Sequence, residues 1–315
     1  MAQPTATHAT NDMVGIREDL SNVIYDISPI ETPFLSSVEH TEATNVLHEW
    51  QTHDLASAAN NAAIEGDDRP GTAATATTRL NNRTQISTKD ATVSGTARAV
   101  NTAGRGDEMD FQILNRGREL RRDMETGLLS NKAKVTGTDV LAGQYGGIVS
   151  YIKTNQSVGA TGAAPTGDGS DTRTDGTQRA FTETLLKAVL KSCWDNGGSP
   201  DTIMVGSFNK QAASGFSDRA TVEQKAEDDV LHTAFNVLES DFGQLRIVPN
   251  RFQRARDALV LDLSMWKVPF LSGRNMVTFD LAKTGDTEKK QILSEYTLEA
   301  CQEKSSGIVA DLTTA

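Results

Sequence analysis

The sequence predicts an α+β fold, and three features carry that expectation. Residues 44–103 hold two strand-like segments around a long stretch rich in Ala, Asn, Gly and Thr. A single long amphipathic helix follows at 105–134. Residues 181–275 then alternate helix and strand patterns as a compact α/β unit does. The chain has 315 residues, enough for one large domain or two smaller ones.

Taken in order, residues 1–13 are small and polar and read as a tail. Ile16, Leu20, Val23 and Ile27 recur at helical spacing, which predicts a short amphipathic helix over 14–27. Pro29 and Pro33 then favour an extended chain with Ile30, Phe34 and Leu35 interleaved. Residues 1–43 are thus expected to be an arm lying along a surface. Val46, His48 and Trp50 share one face of a strand at 44–56, residues 57–76 form a loose tip containing Pro70 and Gly71, and 84–100 reads as the returning strand. The whole of 44–103 is expected to be one very long β-hairpin. An isolated two-stranded ribbon is marginal in water, so it is expected to lie on another copy of the chain.

Asp107 is a good cap for the long helix, and Glu108 and Asp110 suit its positive end. Phe111, Leu114, Leu120, Met124 and Leu128 form a narrow apolar stripe, with Lys132 and Lys134 placed at the C-terminal end. At ~1.5 Å per residue the rod is roughly 40 Å long. Residues 154–179 read as an exposed low-complexity loop. Beyond it come a helix closed by Gly197 and Gly198, a strand PDTIMVG, a helix capped by Ser207, and strands GQLRIVP and DALVLDL. The final 290–312 offers two strands around Glu303–Ser306, expected to return beneath the long helix.

Hydrophobic residues make up 37% and aromatics 5%, against roughly 45–50% apolar in ordinary domains. A core so thin suggests arms and loops that bury surface only after assembly. The net charge of −11 and pI of 5.0 argue against a nucleic-acid reader, whose domain pI exceeds about 9. They suit a container whose wall does not grip its contents. Cys193 and Cys301 show no CxxC or Cys/His spacing, so free thiols in a reducing compartment are expected. No apolar run approaches the ~20 residues of a membrane span, and the N-terminus lacks the regions of a signal peptide.

Chemistry is hard to find. His48 and His53 in HEWQTHD stand five apart, on opposite faces of a strand, and cannot chelate together. No Walker-type loop, GxSxG or HExxH is present, and Gly143–Gly147 reads as a turn. Arg105-Gly106-Asp107 matches an adhesion tripeptide, but Gly and Asp already have structural roles at a helix start. Arg116, Arg118, Arg121 and Arg122 cluster on the long helix, yet 105–134 holds seven basic and six acidic residues, a mixed face rather than a phosphate track. Residues 218–241 carry seven acids and two bases, a solvated or subunit-facing surface. No enzyme, cofactor or metal site is expected.

Arm, hairpin, long helix, α/β unit and returning strands follow in an order that resembles the Hong Kong 97-type capsid fold of tailed-phage heads. Asn82–Ile86, Val93–Thr96, Ala99-Val100, Gly104, Glu119-Leu120 and Arg122–Glu125 resemble one family of phage major head proteins. So do Pro29–Phe34, Gly147-Ile148, Thr154-Asn155, Ser240–Gly243, Asn250-Arg251, Lys283–Asp286 and Glu295–Glu299. The resemblance implies an N-arm (1–43), an extended loop (44–103), a peripheral domain (104–180 and 276–315) with its spine helix (105–134), and an axial domain (181–275). It further implies self-assembly as hexamers and pentamers into an icosahedral virion shell around double-stranded DNA, put together in the host cytoplasm, with a portal at one vertex. A decoration protein is a further candidate partner. The short stretch before the first helix leaves no room for a cleaved scaffolding segment, so a separate scaffolding protein is expected. Phe34, Trp50, Arg69, Arg79, Arg83, Arg116 and Arg121 are the expected inter-subunit contacts. The rival reading is a bacterial nanocompartment shell of the same fold.

Overall fold

The computed structural model describes residues 31–66, 68, 71, 74–100, 102, 104, 106–217 and 237–314. The expected 14–27 helix, Arg69 and residues 218–236 of the acidic stretch lie outside them. Pro33 occupies the first helical position, where its missing N–H costs nothing. The described part of the arm therefore opens with a helical turn, α1 (Pro33–Ser37), and not with extended chain, before strand β1 (Glu39–Ala43).

Strands β2 (Leu47–Thr52) and β3 (Thr78–Arg83) make a two-stranded antiparallel ribbon, in register from Leu47 opposite Arg83 to Thr52 opposite Thr78. The returning strand thus begins earlier than expected. Strand β4 (Gln85–Ser94) leaves the ribbon and pairs along its whole length with Thr287–Tyr296. Buried Thr84 makes the crossing: its N–H bonds Val46 O at 2.9 Å and its hydroxyl donates to Glu295 Oε1 at 2.8 Å. A two-residue alternation marks a strand but does not say which strand it pairs with.

After α2 (Gly95–Ala99), α3 (Glu108–Leu128) begins where Asp107 accepts the Met109 N–H at 2.8 Å. It has 21 residues, about 30 Å at 1.5 Å per residue, and stops short of the expected 134. Asn131 exchanges hydrogen bonds with the Arg173 backbone at 2.8 and 3.0 Å, and Lys134 N bonds Gly169 O at 2.8 Å, so the chain past Leu129 runs along the 166–174 loop instead. Lys132 and Lys134 therefore do not complement the helix dipole.

The α/β unit contains β5 (Gln156–Ser157), α4 (Glu183–Asp195), β6 (Thr202–Val205), α5 (Ser207–Ser214), β7 (Val237–Ser240), β8 (Gly243–Pro249) and β9 (Ala258–Leu261). Gly206, not Ser207, is the cap of α5. The next strands are β10 (Trp266–Leu271), β11 (Val277–Asp280), β12 (Thr287–Tyr296), β13 (Glu299–Ala300) and β14 (Gly307–Val309). Sheet membership cuts across chain order. One sheet runs β5-β14-β9-β6-β8-β7; the other runs β1-β10-β12-β11, with β4 on β12 and β13 on β10. Trp266–Leu271, inside the expected 181–275 unit, belongs to the second sheet. Of the two returning strands, only β12 lies at α3, where Ile292 and Leu120 share a core; β14 enters the α/β sheet.

Polar groups do much of the joining in this thin core. Glu125 on α3 is fully buried and accepts the N–H groups of Phe34 and Leu35, both at 2.8 Å, and Asn250 Nδ2 at 2.7 Å. Burial pushes its carboxyl above the usual range, and these three donors restrain the rise. The 154–179 segment, expected to be an exposed loop, is clamped at buried Asp311, which accepts from Gly159 N at 3.0 Å, Gly176 N at 2.8 Å and Arg256 Nη2 at 3.0 Å. Burial works against this carboxylate, but those N–H groups with Arg173 and Arg256 hold it below the usual range. Asp175, Arg254 and Asp257 extend the cluster into a charge-balanced set of three arginines and three aspartates. Burial pushes the Asp257 carboxyl up to about 6, against the attraction of Arg254 and Arg173.

Two consequences can be measured. A Cβ on Gly307 would stand 2.8 Å from Asn155 O and 3.0 Å from Cys193 Sγ, so Gly307→Ala should lower the unfolding free energy by about 2 kcal/mol in denaturant titration. The Asp257 carboxyl lies above its ordinary 3.8 when folded. Its stabilising contribution is therefore full below that value and is lost as pH rises through about 6. Asp257→Asn removes that loss, so the stability difference between variant and parent should shift toward the variant between about pH 4 and pH 7. A difference that stays flat over that window would contradict the assignment.

Candidate assembly interface

The ribbon is anchored at its base and unsupported at its tip. Trp50 is buried with its ring 6.0 Å from that of Tyr151. Asn82 saturates its amide: Nδ2 donates to Leu298 O at 2.7 Å and Gly146 O at 3.3 Å, while Oδ1 accepts from Gly146 N and Arg83 N, both at 2.9 Å. Lys134 Nζ donates to Asn81 Oδ1 and Asp168 O, both at 2.7 Å. His48 Nε2 lies 2.9 Å from Glu299 Oε2, a contact that holds the Glu299 carboxyl below its usual range. The outermost ties are Lys304 Nζ and Gln302 Nε2 on Asp54, at 2.5 and 3.1 Å. From there to Thr77 every described residue is exposed, with Leu55 at 88% and Ile64 at 80%.

Beneath the ribbon, Lys132 Nζ sits 3.6 Å above the Tyr145 ring and donates to Gln85 Oε1 at 3.1 Å. Burial pushes this ammonium down to about 8. The Tyr145 and Tyr296 hydroxyls meet at 3.2 Å, tying the end of β12 to the segment after α3.

The expected contact residues separate into two groups. Phe34 is fully buried and Trp50 is 8% exposed, both in the chain's own core. A chain so poor in aromatics spends these rings on itself, and their burial leaves little surface for the contacts expected of them. Arg79, Arg83, Arg116 and Arg121 reach the surface; Arg79 pairs with Glu49 across the ribbon, and Arg116 with Glu119 at 2.7 Å. These four do not converge: two lie on the ribbon and two on α3. Arg121 alone of them lines a described cavity, of about 200 Å³, between α1, α3 and β10. Sequence reasoning missed the exposed pair Trp194 and Phe242, with centroids 5.5 Å apart. A helical wheel places Trp194 off the stripe of Leu186, Val189, Leu190 and Cys193, which was the available signal. It also missed Asp311, whose signal was an acid isolated in the apolar run 308–312.

Among the described residues, no three His, Cys, Asp or Glu side chains gather as metal ligands, and no helix is long and apolar enough to cross a membrane.

The family model for the SU10 major capsid protein matches residues 3–313. A curated relative, the major capsid protein of Escherichia phage Phieco32, is 26% identical over 351 residues, covering 98% of this chain and 97% of that protein. Among solved structures, the cyanophage A-1(L) capsid asymmetric unit superposes with a TM-score of 0.65 at 13% identity, covering 97% of this chain and 98% of that one. The phage G major capsid and decoration proteins give 0.55 at 12% identity, covering 99% and 100%. The Hong Kong 97-type fold expected from the order of elements is thus the one observed, and the chain belongs to the SU10 major capsid protein family.

Proposed function

We propose that this major capsid protein closes as hexamers and pentamers into the icosahedral head of a tailed phage, around double-stranded DNA. The observation that carries the reading is the ribbon. Its base is fixed by buried hydrogen bonds, while its tip, 53–77, exposes every described residue. A tip with exposed Leu55 and Ile64 has no covering surface among the described residues, which favours one in a neighbour.

The N-arm (1–43), extended loop (44–103), peripheral domain (104–180 and 276–315) and axial domain (181–275) describe the division of labour, with β10 serving the peripheral sheet and β14 the axial one. The role is structural rather than catalytic. A separate scaffolding protein, a portal at one vertex and assembly in the host cytoplasm complete the reading. A decoration protein fits too, as phage G's capsid pairs with decoration proteins. The acidic balance of −11 suits a wall that encloses DNA without gripping it.

Replacing residues 55–77 by a short turn should leave a folded subunit with an unchanged circular dichroism spectrum that builds no closed shells in negative-stain microscopy. Normal heads from that variant would rule out the role given to the tip.

A further inference from the structure

Resting on that reading, we infer that the tip of one copy docks in the cavity beside Arg121 of the next, with Ile64 filling the cavity and Glu65 pairing with Arg121. The socket is lined by Leu35, Met124, Phe270 and Met276, with Arg121 among its polar lining. The first three are buried and form its floor, while Arg121 is exposed. Its volume of about 200 Å³ is below the 300–1,000 Å³ of small-molecule sites and suits one aliphatic side chain. Arg116 of α3 bonds Glu119, and Asp123 of α3 is taken by Lys89 of β4 at 2.8 Å. Arg121 has no ion pair among the described residues.

The tip carries the complementary pattern. Ile64 is 80% exposed, and Glu65 and Asp68 beside it are exposed acids. Gly66, at φ +80°, turns the chain directly after this pair and sets Ile64 and Glu65 at the turn. The 25 residues between β2 and β3 can project roughly 40 Å as a doubled chain, far enough to cross onto a neighbouring subunit. An exposed aliphatic beside an acid recurs at Asp139 and Val140, but that turn closes on itself through Thr138 N to Leu141 O at 2.8 Å and has no such reach. Tip and socket are different surfaces of one chain, so the contact is head-to-tail and propagates around a ring.

The test uses the full chain and compares shell yields by sucrose gradient and negative-stain microscopy. Arg121→Glu and Glu65→Arg should each fold, since both positions are exposed, and each should lower the yield of closed shells by about tenfold or more, because like charges then face each other. The variant carrying both changes should recover shells. Co-expression of the two single variants should recover six-membered rings, in which the two copies can alternate so that each tip meets an opposite charge, whereas a five-membered ring keeps at least one like-charge contact. Single variants that assemble like the parent would overturn the docking assignment while leaving the capsid role intact. Recovery in the double variant without recovery of six-membered rings on co-expression would place the contact within one chain and overturn it too. Open tubes or monomers from every arm, parent included, would overturn the capsid role and the assignment with it.

Discussion

The ladder between β4 and β12 is the constraint on which the other parts depend. Each strand has ten residues, and they pair without a break from Gln85 opposite Tyr296 to Ser94 opposite Thr287. One face of β4 is covered where Ala91 and Val93 meet Met109 of α3; the alternate residues Ile86, Thr88, Asp90 and Thr92 stay exposed. At one end Thr84 passes the chain to the ribbon. At the other, Gly95 N bonds Asp286 O at 3.0 Å and the chain turns into α2. Closing so long a loop costs entropy only logarithmically in its length, and many ladder bonds share that cost. The ladder therefore fixes the direction in which the ribbon leaves the body.

Local signals made some elements legible. The Asp107 cap, the stripe of α4 and the apolar runs of β6, β8 and β9 each write their structure within a dozen residues, and the structure follows them. Partnership was not legible. Nothing in 84–100 says that its mate lies at 287–296, so the segment looked like the return of its nearest neighbour. Glycine-rich sequence misled for a different reason. In 154–179 glycine serves close approach rather than flexibility: Gly159 and Gly176 bring their N–H groups to Asp311, where side chains would intervene. Phe34 and Trp50, expected at contacts between subunits, are buried in the chain's own core instead, as a chain this short of rings needs them at home. The assembly role itself came from the family resemblance, not from any one group of residues.

The buried polar clamps explain how a subunit with so few aromatics holds one shape. Asn82 and Asn155 each satisfy their amides against segments distant in sequence; Asn155 joins Lys304 O and Ser306 O to Ser192 and Asn196 on α4. Such contacts add little net free energy per bond, about 1 kcal/mol, but losing one partner strands the rest in a dry interior. They specify geometry more than they drive collapse. Apolar burial supplies the driving force in two main clusters, and the clamps set how the segments between them run.

This division bears on assembly. Copies that each carry −11 repel one another, and at physiological salt that repulsion is screened over about 8 Å. Beyond that distance copies scarcely sense each other's net charge; within it, local pairs decide. A contact can then form only where the charge is locally reversed or absent. Arg121, exposed and without an ion pair among the described residues, and the exposed acids Glu65 and Asp68 of the tip are local patches of opposite sign that meet this condition. With the tip docked on a neighbour as proposed, shell closure becomes a collective property, in which each contact gains its stability from the ring that the others have already positioned.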